Sequence, residues 1–382
     1  MKEEDSKNIS SATVPVWDVW VRLFHWSLVA AFAVAAYTGF FGRKNQIDFH
    51  VIAGVSAAAL VAFRLIWGMW GTTYARFSSF IASPGKTLRH ARHIIGSRGH
   101  VTMGHNPLGG WMIVVLLALV AAVAITGTVT LGGVVKEGPL APFVSFATGL
   151  GARKFHYYLA LVLAVLAGLH ILGAIFESLR IRENLMRAMV TGCKQARSDA
   201  ETAPSRSARP LFALGAAVIL GAITIPAVAH FSALPVPGVP TEPMDATYAK
   251  ECGACHVPHH PTVAPAATWK AIFANLQDHF GENASLPQGP TDKLRAYALA
   301  NSSEKWDTRV AHVMRRPSKE MPLRITDAPI WKRIHDHFPE RLFKSKAIGG
   351  KLNCTNCHRD AENGMFAPRE ISIKHEKKGK KK

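Results

Sequence analysis

RKFHYYLALVLAVLAGLHILGAIFES, residues Arg153–Ser178, is the stretch whose reading decides the fold. It is apolar over the roughly 20 residues that a helix needs to cross a bilayer, yet it carries His156 and His170. Fourteen positions at 100° per residue return to nearly the same face, so both imidazoles look the same way, separated by roughly 21 Å along the axis. Polar side chains inside a membrane span are costly and mark a function, and neutral imidazole is a preferred ligand of haem iron. The segment reads as one wall of a two-haem bundle. Satisfaction of both rings by neighbouring backbone is the competing reading, and this stretch alone does not separate the two.

Upstream, the pattern recurs. The run at about 16–41 opens with Trp17, Trp20 and Trp26, an interfacial aromatic cluster, and carries His25. The run at 50–70 has His50 at its mouth and Arg64 fourteen residues later on nearly the same face. Arg64 either snorkels to the headgroups or pairs with a haem propionate. Residues 71–109 carry Arg76, Lys86, Arg89, Arg92 and Arg98 with no acidic residue, and end in GHNPLGG, where Asn106 and Pro107 mark a helix start and His105 reads as part of it. The run at 110–132 has neither His nor charge and reads as a packing helix rich in Gly and Ala. Residues 1–15 are polar and lack a removable signal pattern, so the start is expected to stay in the cytoplasm.

Beyond the fourth run (153–179), residues 179–210 are basic again. The positive-inside rule then puts this stretch and the 71–109 loop in the cytoplasm, as four crossings with an inside start require. A fifth run, 211–231, takes the chain outward. It looks like a signal peptide set mid-chain, ending in Ala227-Val228-Ala229, although a plain anchor is preferred. With this orientation, depth pairs His50 with His156 near the outer face and His25 with His170 near the inner one.

A proline-rich spacer, 232–243, leads to a soluble, mostly helical domain at 244–373, and KHEKKGKKK closes the chain as a basic tail. Four of the five cysteines sit in two Cys-x-x-Cys-His motifs, Cys252-Cys255-His256 and Cys354-Cys357-His358; Cys193 is left over. That spacing reads as c-type haem attachment, two thiols bonding the porphyrin and the adjacent His ligating iron. A zinc or thioredoxin-like reading leaves the His unexplained twice. For the sixth ligands the candidates are His259, His260, His279, His312, His335, His337, Met244, Met314, Met321 and Met365. His279 and His335 are preferred, with His337 as substitute for His335; His312 reads as a surface residue.

Apolar residues make up 48% of the 382, bunched before Ser232, and the net charge of +19 falls in loops and tail rather than on one face. That excludes a nucleic-acid surface in favour of membrane lipid as the partner. The expected fold class is all-α: a transmembrane four-helix bundle (16–190), a cytoplasmic linker (191–210), a fifth transmembrane helix, and a small helical dihaem c-type cytochrome domain.

Two resemblances sharpen this. WDVWVRLFHW, HVIAGVSAAALVAFRLIWG, GHNPLGG and the His156 to His170 spacing resemble the bacterial cytochrome b561 family, which includes the b-type subunit of nickel-iron hydrogenases. The likeness implies two b haems carried by histidines of the first, second and fourth helices, at His25, His50, His156 and His170. ECGACH, WKAIFANLQDHFGENASL, MPLRITDAPIW and CTNCH are similar to a small dihaem cytochrome c family, whose bis-histidine haems support His279 and His335; the His259-His260-Pro261 run departs from the pattern expected there.

The sequence carries no paired carboxylates, nucleophile triad or phosphate loop. The expectation is therefore an electron-transfer protein rather than an enzyme, with two non-covalent haems b and two covalent haems c. It is expected in the bacterial inner membrane, passing electrons between quinone and a periplasmic redox partner through its periplasmic c-type domain. The rival expectation is a haem-bearing anchor subunit of a larger periplasmic oxidoreductase such as a hydrogenase-like complex.

Overall fold

A computed structural model describes residues 9–42, 46–93, 101–197, 200–316 and 323–372. Arg98, Met321 and the tail at 374–382 lie outside them. Among the described residues five helices are long and apolar enough to cross a membrane. They are α1 (Val19–Phe40), α2 (Ile47–Trp70), α4 (Pro107–Thr130, continued by a π turn at Leu131–Val135), α5 (Phe146–Ile181) and α7 (Pro210–Ser232). Between them lie α3 (Pro84–His93), α6 (Leu185–Thr191) and a two-stranded antiparallel ribbon of β1 (Ile9–Pro15) and β2 (Cys193–Arg197). The ribbon is not foreseen in the sequence reading, because neither strand alternates polar and apolar residues and the partners are far apart in sequence.

Local chemistry sets the helix ends. Asp18 caps α1 by accepting the Val21 N–H at 2.9 Å, a contact worth about 1 kcal/mol. Its other oxygen accepts from Trp67 Nε1 (3.0 Å) and Thr72 Oγ1 (2.6 Å), which ties the start of α1 to the end of α2. Helix α5 begins at Phe146, seven residues before the apolar run, because Ser145 Oγ accepts the Thr148 N–H at 3.2 Å. Gly149 in that first turn lies against the backbone of Gly133, where an added Cβ would come within 2.6 Å of the Gly133 Cα.

The chain divides into two compact units. The first holds residues up to 128 together with 152–229. Its bundle core is Phe24, Ala57, Val61, Leu117, Val120 and Leu163, while Phe41, Leu179, Leu211 and Ile225 keep apolar side chains exposed, as lipid-facing positions do. A second cluster, with Trp17, Trp67, Met103, Ala188 and Ala213 among its members, gathers the connecting segments. There the two basic stretches interlock: Arg209 N–H donates to Trp70 O (2.8 Å), Arg76 Nη2 to Ser207 O (2.8 Å), and Lys86 pairs with Glu201 (2.9 Å).

The second unit holds residues 129–151 and everything from 230 onward. It is built from short helices: α8 (Ala246–Cys252), α9 (Ala266–Ala274), α10 (Gln288–Ala300), α11 (Arg309–Met314), α12 (Pro329–His335) and α13 (Glu340–Phe343). They pack around Tyr248, Trp269, Phe273, Leu294, Ala298, Val310 and Met314.

Candidate haem sites

Two imidazole nitrogens on opposite sides of one iron, each at roughly 2 Å with its ring centroid roughly 1 Å further on, put the centroids roughly 6 Å apart. His50 on α2 and His156 on α5 have centroids 5.9 Å apart. Each ring is held the same way. His50 Nδ1 donates to Ala35 O of α1 (3.0 Å), and His156 Nδ1 donates to Val123 O of α4 (2.9 Å). A carbonyl only accepts, so both hydrogen bonds put the proton on Nδ1 and the lone pair on Nε2, the arrangement that orients a metal-binding histidine. Gly39 and Gly127 leave room for the rings: a Cβ at either would stand 3.0 or 3.1 Å from an imidazole carbon.

His25 lies on α1 and His170 on α5. Around them sits an unusual set of buried donors. Arg64 is 3% exposed, its guanidinium lying over Phe77 (5.0 Å) and Phe80 (5.9 Å), and its Nη1 has no hydrogen-bond partner among the described residues. His25 Nδ1 and His105 Nδ1 are in the same condition. An uncompensated buried guanidinium costs several kcal/mol, so this donor set suits a carboxylate-bearing group such as the propionate edge of a haem.

His105 is a residue the sequence reading passed over. Its ring is wedged between Trp17 (4.5 Å) and Phe80 (4.9 Å), and burial, followed by the nearby charges of Arg64 and Lys194, pushes it down to about 3. The GHNPLGG motif gave a signal only for the helix start, where Asn106 Oδ1 accepts the Gly109 N–H at 2.7 Å.

In the second unit, His256 and His279 have centroids 6.3 Å apart with planes 24° from parallel, and His335 and His358 also lie 6.3 Å apart. His256 Nδ1 donates to Val257 O and His335 Nδ1 to Trp331 O, both at 2.8 Å, so each places its lone pair on Nε2. His279 is presented by a tight turn in which its N–H donates to Glu282 O (2.8 Å) and Asp278 accepts the Gly281 N–H (2.9 Å). Burial, with His256 nearby, holds His279 below its ordinary value. The second attachment motif is a hydrogen-bonded turn, Cys357 N–H and His358 N–H both donating to Cys354 O.

Burial pushes the Cys252 and Cys354 thiols up to about 11. Among the described residues no three His, Cys, Asp or Glu side chains converge as a metal cage.

Several other sixth-ligand candidates have contacts of their own. His260 is buried, its Nδ1 accepting the Thr262 N–H at 3.3 Å, and its ring abuts Gly364. His259 stacks on His256 at 5.1 Å. His337 packs on its neighbour Phe338 and is exposed. Met314 belongs to the apolar core and Met244 packs against it. His312 is not a bare surface residue: it stacks on Phe146 (4.5 Å) and its Nε2 donates to Asp307 (2.7 Å).

Apolar membrane helices and imidazole pairs at iron-spanning separation define a multi-pass membrane cytochrome. Residues 16–192 match the prokaryotic cytochrome b561 family and residues 248–366 the dihaem cytochrome c family. The C-terminal domain belongs to the dihaem cytochrome c family and follows a region that matches cytochrome b561, and the chain is a membrane haem electron-transfer protein. Its C-terminal part is similar to two solved structures. One is a dihaem cytochrome c from Rhodobacter sphaeroides (35% identity over 32% of this chain and 97% of that one, TM-score 0.26). The other is a dihaem cytochrome c from Shewanella baltica (32% identity over 35% and 94%, TM-score 0.28). No curated protein matches the chain.

Proposed function

We propose that this chain carries electrons between the quinone pool of a bacterial inner membrane and a periplasmic redox protein, with two b haems in the bundle and two c haems in the C-terminal domain. The observation that carries the reading is the recurrence of one separation, 5.9, 6.3 and 6.3 Å, between imidazoles brought together from distant parts of the chain.

Bound haem supplies a reversible one-electron change at iron. The chain's own residues do the rest. His50 and His156 would hold one b haem, and His25 and His170 the other, where Arg64 would meet a propionate. Cys252 and Cys255 would attach the first c haem, with His256 and His279 as its iron ligands. Cys354 and Cys357 would attach the second, with His358 and His335 as its iron ligands. Paired imidazoles give lower potentials than a His and Met pair, which suits a low-potential carrier. The basic stretches at 71–109 and 179–210 support a cytoplasmic position for that end, and attachment of haem to Cys-x-x-Cys-His outside the cytoplasm supports a periplasmic C-terminal domain.

The test is anaerobic addition of a quinol to the purified protein. Reduction of both b and c haem bands supports the reading. Reduction of neither, while dithionite reduces all, contradicts it.

A further inference from the structure

The second unit contains an association that the family likenesses do not cover. Residues 129–151 join two membrane helices, α4 and α5, yet they fold with the dihaem domain. The meeting point is Asp307, between α10 and α11. Its Oδ2 accepts from Lys136 Nζ at 2.5 Å and from the Phe146 N–H at 2.8 Å, its Oδ1 accepts from His312 Nε2 at 2.7 Å, and its own N–H donates to Gly238 O at 2.7 Å. One residue thus gathers the interhelix segment, the proline-rich spacer and α11. Glu137 adds a second ion pair with Arg369 (2.7 Å), and Phe146 stacks on the His312 ring.

The segment is built to present this contact. The π turn ends at Lys136, which sits at φ 64, a left-handed conformation that a side-chain-bearing residue adopts at a cost. The Lys136 side chain is only 2% exposed and its Nζ also donates to Val144 O (3.2 Å). A buried ammonium needs such a partner. Gly132 and Gly133 close the turn against Leu140 and Gly149, where a Cβ would clash. On the spacer, Gly238 has φ 73, and a Cβ there would stand 2.8 Å from that of Asp307.

We infer that Asp307 is a latch that holds the segment joining α4 and α5 and the proline-rich spacer onto the dihaem domain. Asp307 and Lys136 are positioning residues: neither is a haem ligand.

Hydrogen–deuterium exchange of the full-length protein in nanodiscs tests this by geometry alone, whatever the haems exchange electrons with. Two variants are compared with the wild type, Asp307→Ala and Lys136→Met; the second leaves the dihaem domain's own sequence intact. Pyridine haemochrome counts show that each variant still carries its haems. The expected result is protection of residues 139–149 and of 302–311 in the wild type. Lys136→Met raises exchange about tenfold or more in both stretches, as loss of a buried charged hydrogen bond should. Protection of 302–311 unchanged in Lys136→Met, or a wild-type 139–149 stretch that exchanges as an open loop, would overturn the latch.

Discussion

The bundle and the dihaem domain use the same imidazole pairing at almost the same separation, 5.9 Å in one and 6.3 Å in the other, but secure it by opposite means. In the bundle the candidate ligands sit on long helices, and His50 and His156 are each aimed by a hydrogen bond to a neighbouring helix, so that pair exists only when the helices are packed. In the dihaem domain the helices are short, His256, His279 and His358 sit on turns and His335 closes α12, and the two Cys-x-x-Cys-His motifs offer thioether bonds that would take over what helix packing does elsewhere. The difference teaches that a haem site needs either a rigid frame or a covalent tie.

The largest expected effect separates the two regimes. His156→Ala should lose one whole b haem, halving the b count by pyridine haemochrome and leaving c haem unchanged. His279→Ala should leave both counts unchanged, because the cysteines keep the porphyrin, and should alter only the spectrum and potential of one c haem. Equal loss in both variants would erase the distinction. Next in size, His279→Met should raise the potential of that c haem in a redox titration, thioether being the potential-raising ligand; an unchanged titration would exclude His279 as the ligand.

A smaller effect is expected at the inner end of the bundle. Removing the buried cation with Arg64→Leu should lower one b-haem potential by on the order of tens of mV and leave the other alone, since a nearby positive charge disfavours the oxidised iron. Potentials that both stay unchanged would return Arg64 to a snorkelling role.

The smallest effect concerns acid. Burial pushes the Asp307 carboxyl up, but the hydrogen bonds from Lys136, His312 and the Phe146 N–H outweigh it and hold the group below its ordinary value. A carboxylate depressed in the folded state contributes stability above its unfolded value of about 3.9 and loses it as the pH falls through the folded one. Protection at 139–149, with exchange corrected for its intrinsic dependence on pH, should therefore hold at neutral pH and be lost only under strong acid; loss of protection already close to neutral pH would contradict this.

What was legible in the sequence follows from the range of the forces involved. The membrane helices and the fourteen-residue His156 to His170 spacing are local patterns and read directly. The two attachment motifs are local as well. The start of α5 at Phe146 was hidden because Thr148, Gly149 and Gly151 dilute the apolar run, while the Gly149 packing against Gly133 that favours it is tertiary. Asp307 and Lys136 are 171 residues apart, so nothing near His312 hinted that its ring faces an ion pair. His105 looked like the start of a helix because the aromatic rings that bury it come from elsewhere.

The most direct measurement is the haem inventory of the purified full-length protein, by pyridine haemochrome against protein concentration. Two b and two c haems per chain is the expected result. Material with c haem but no b haem, or with no haem at all, would contradict the account.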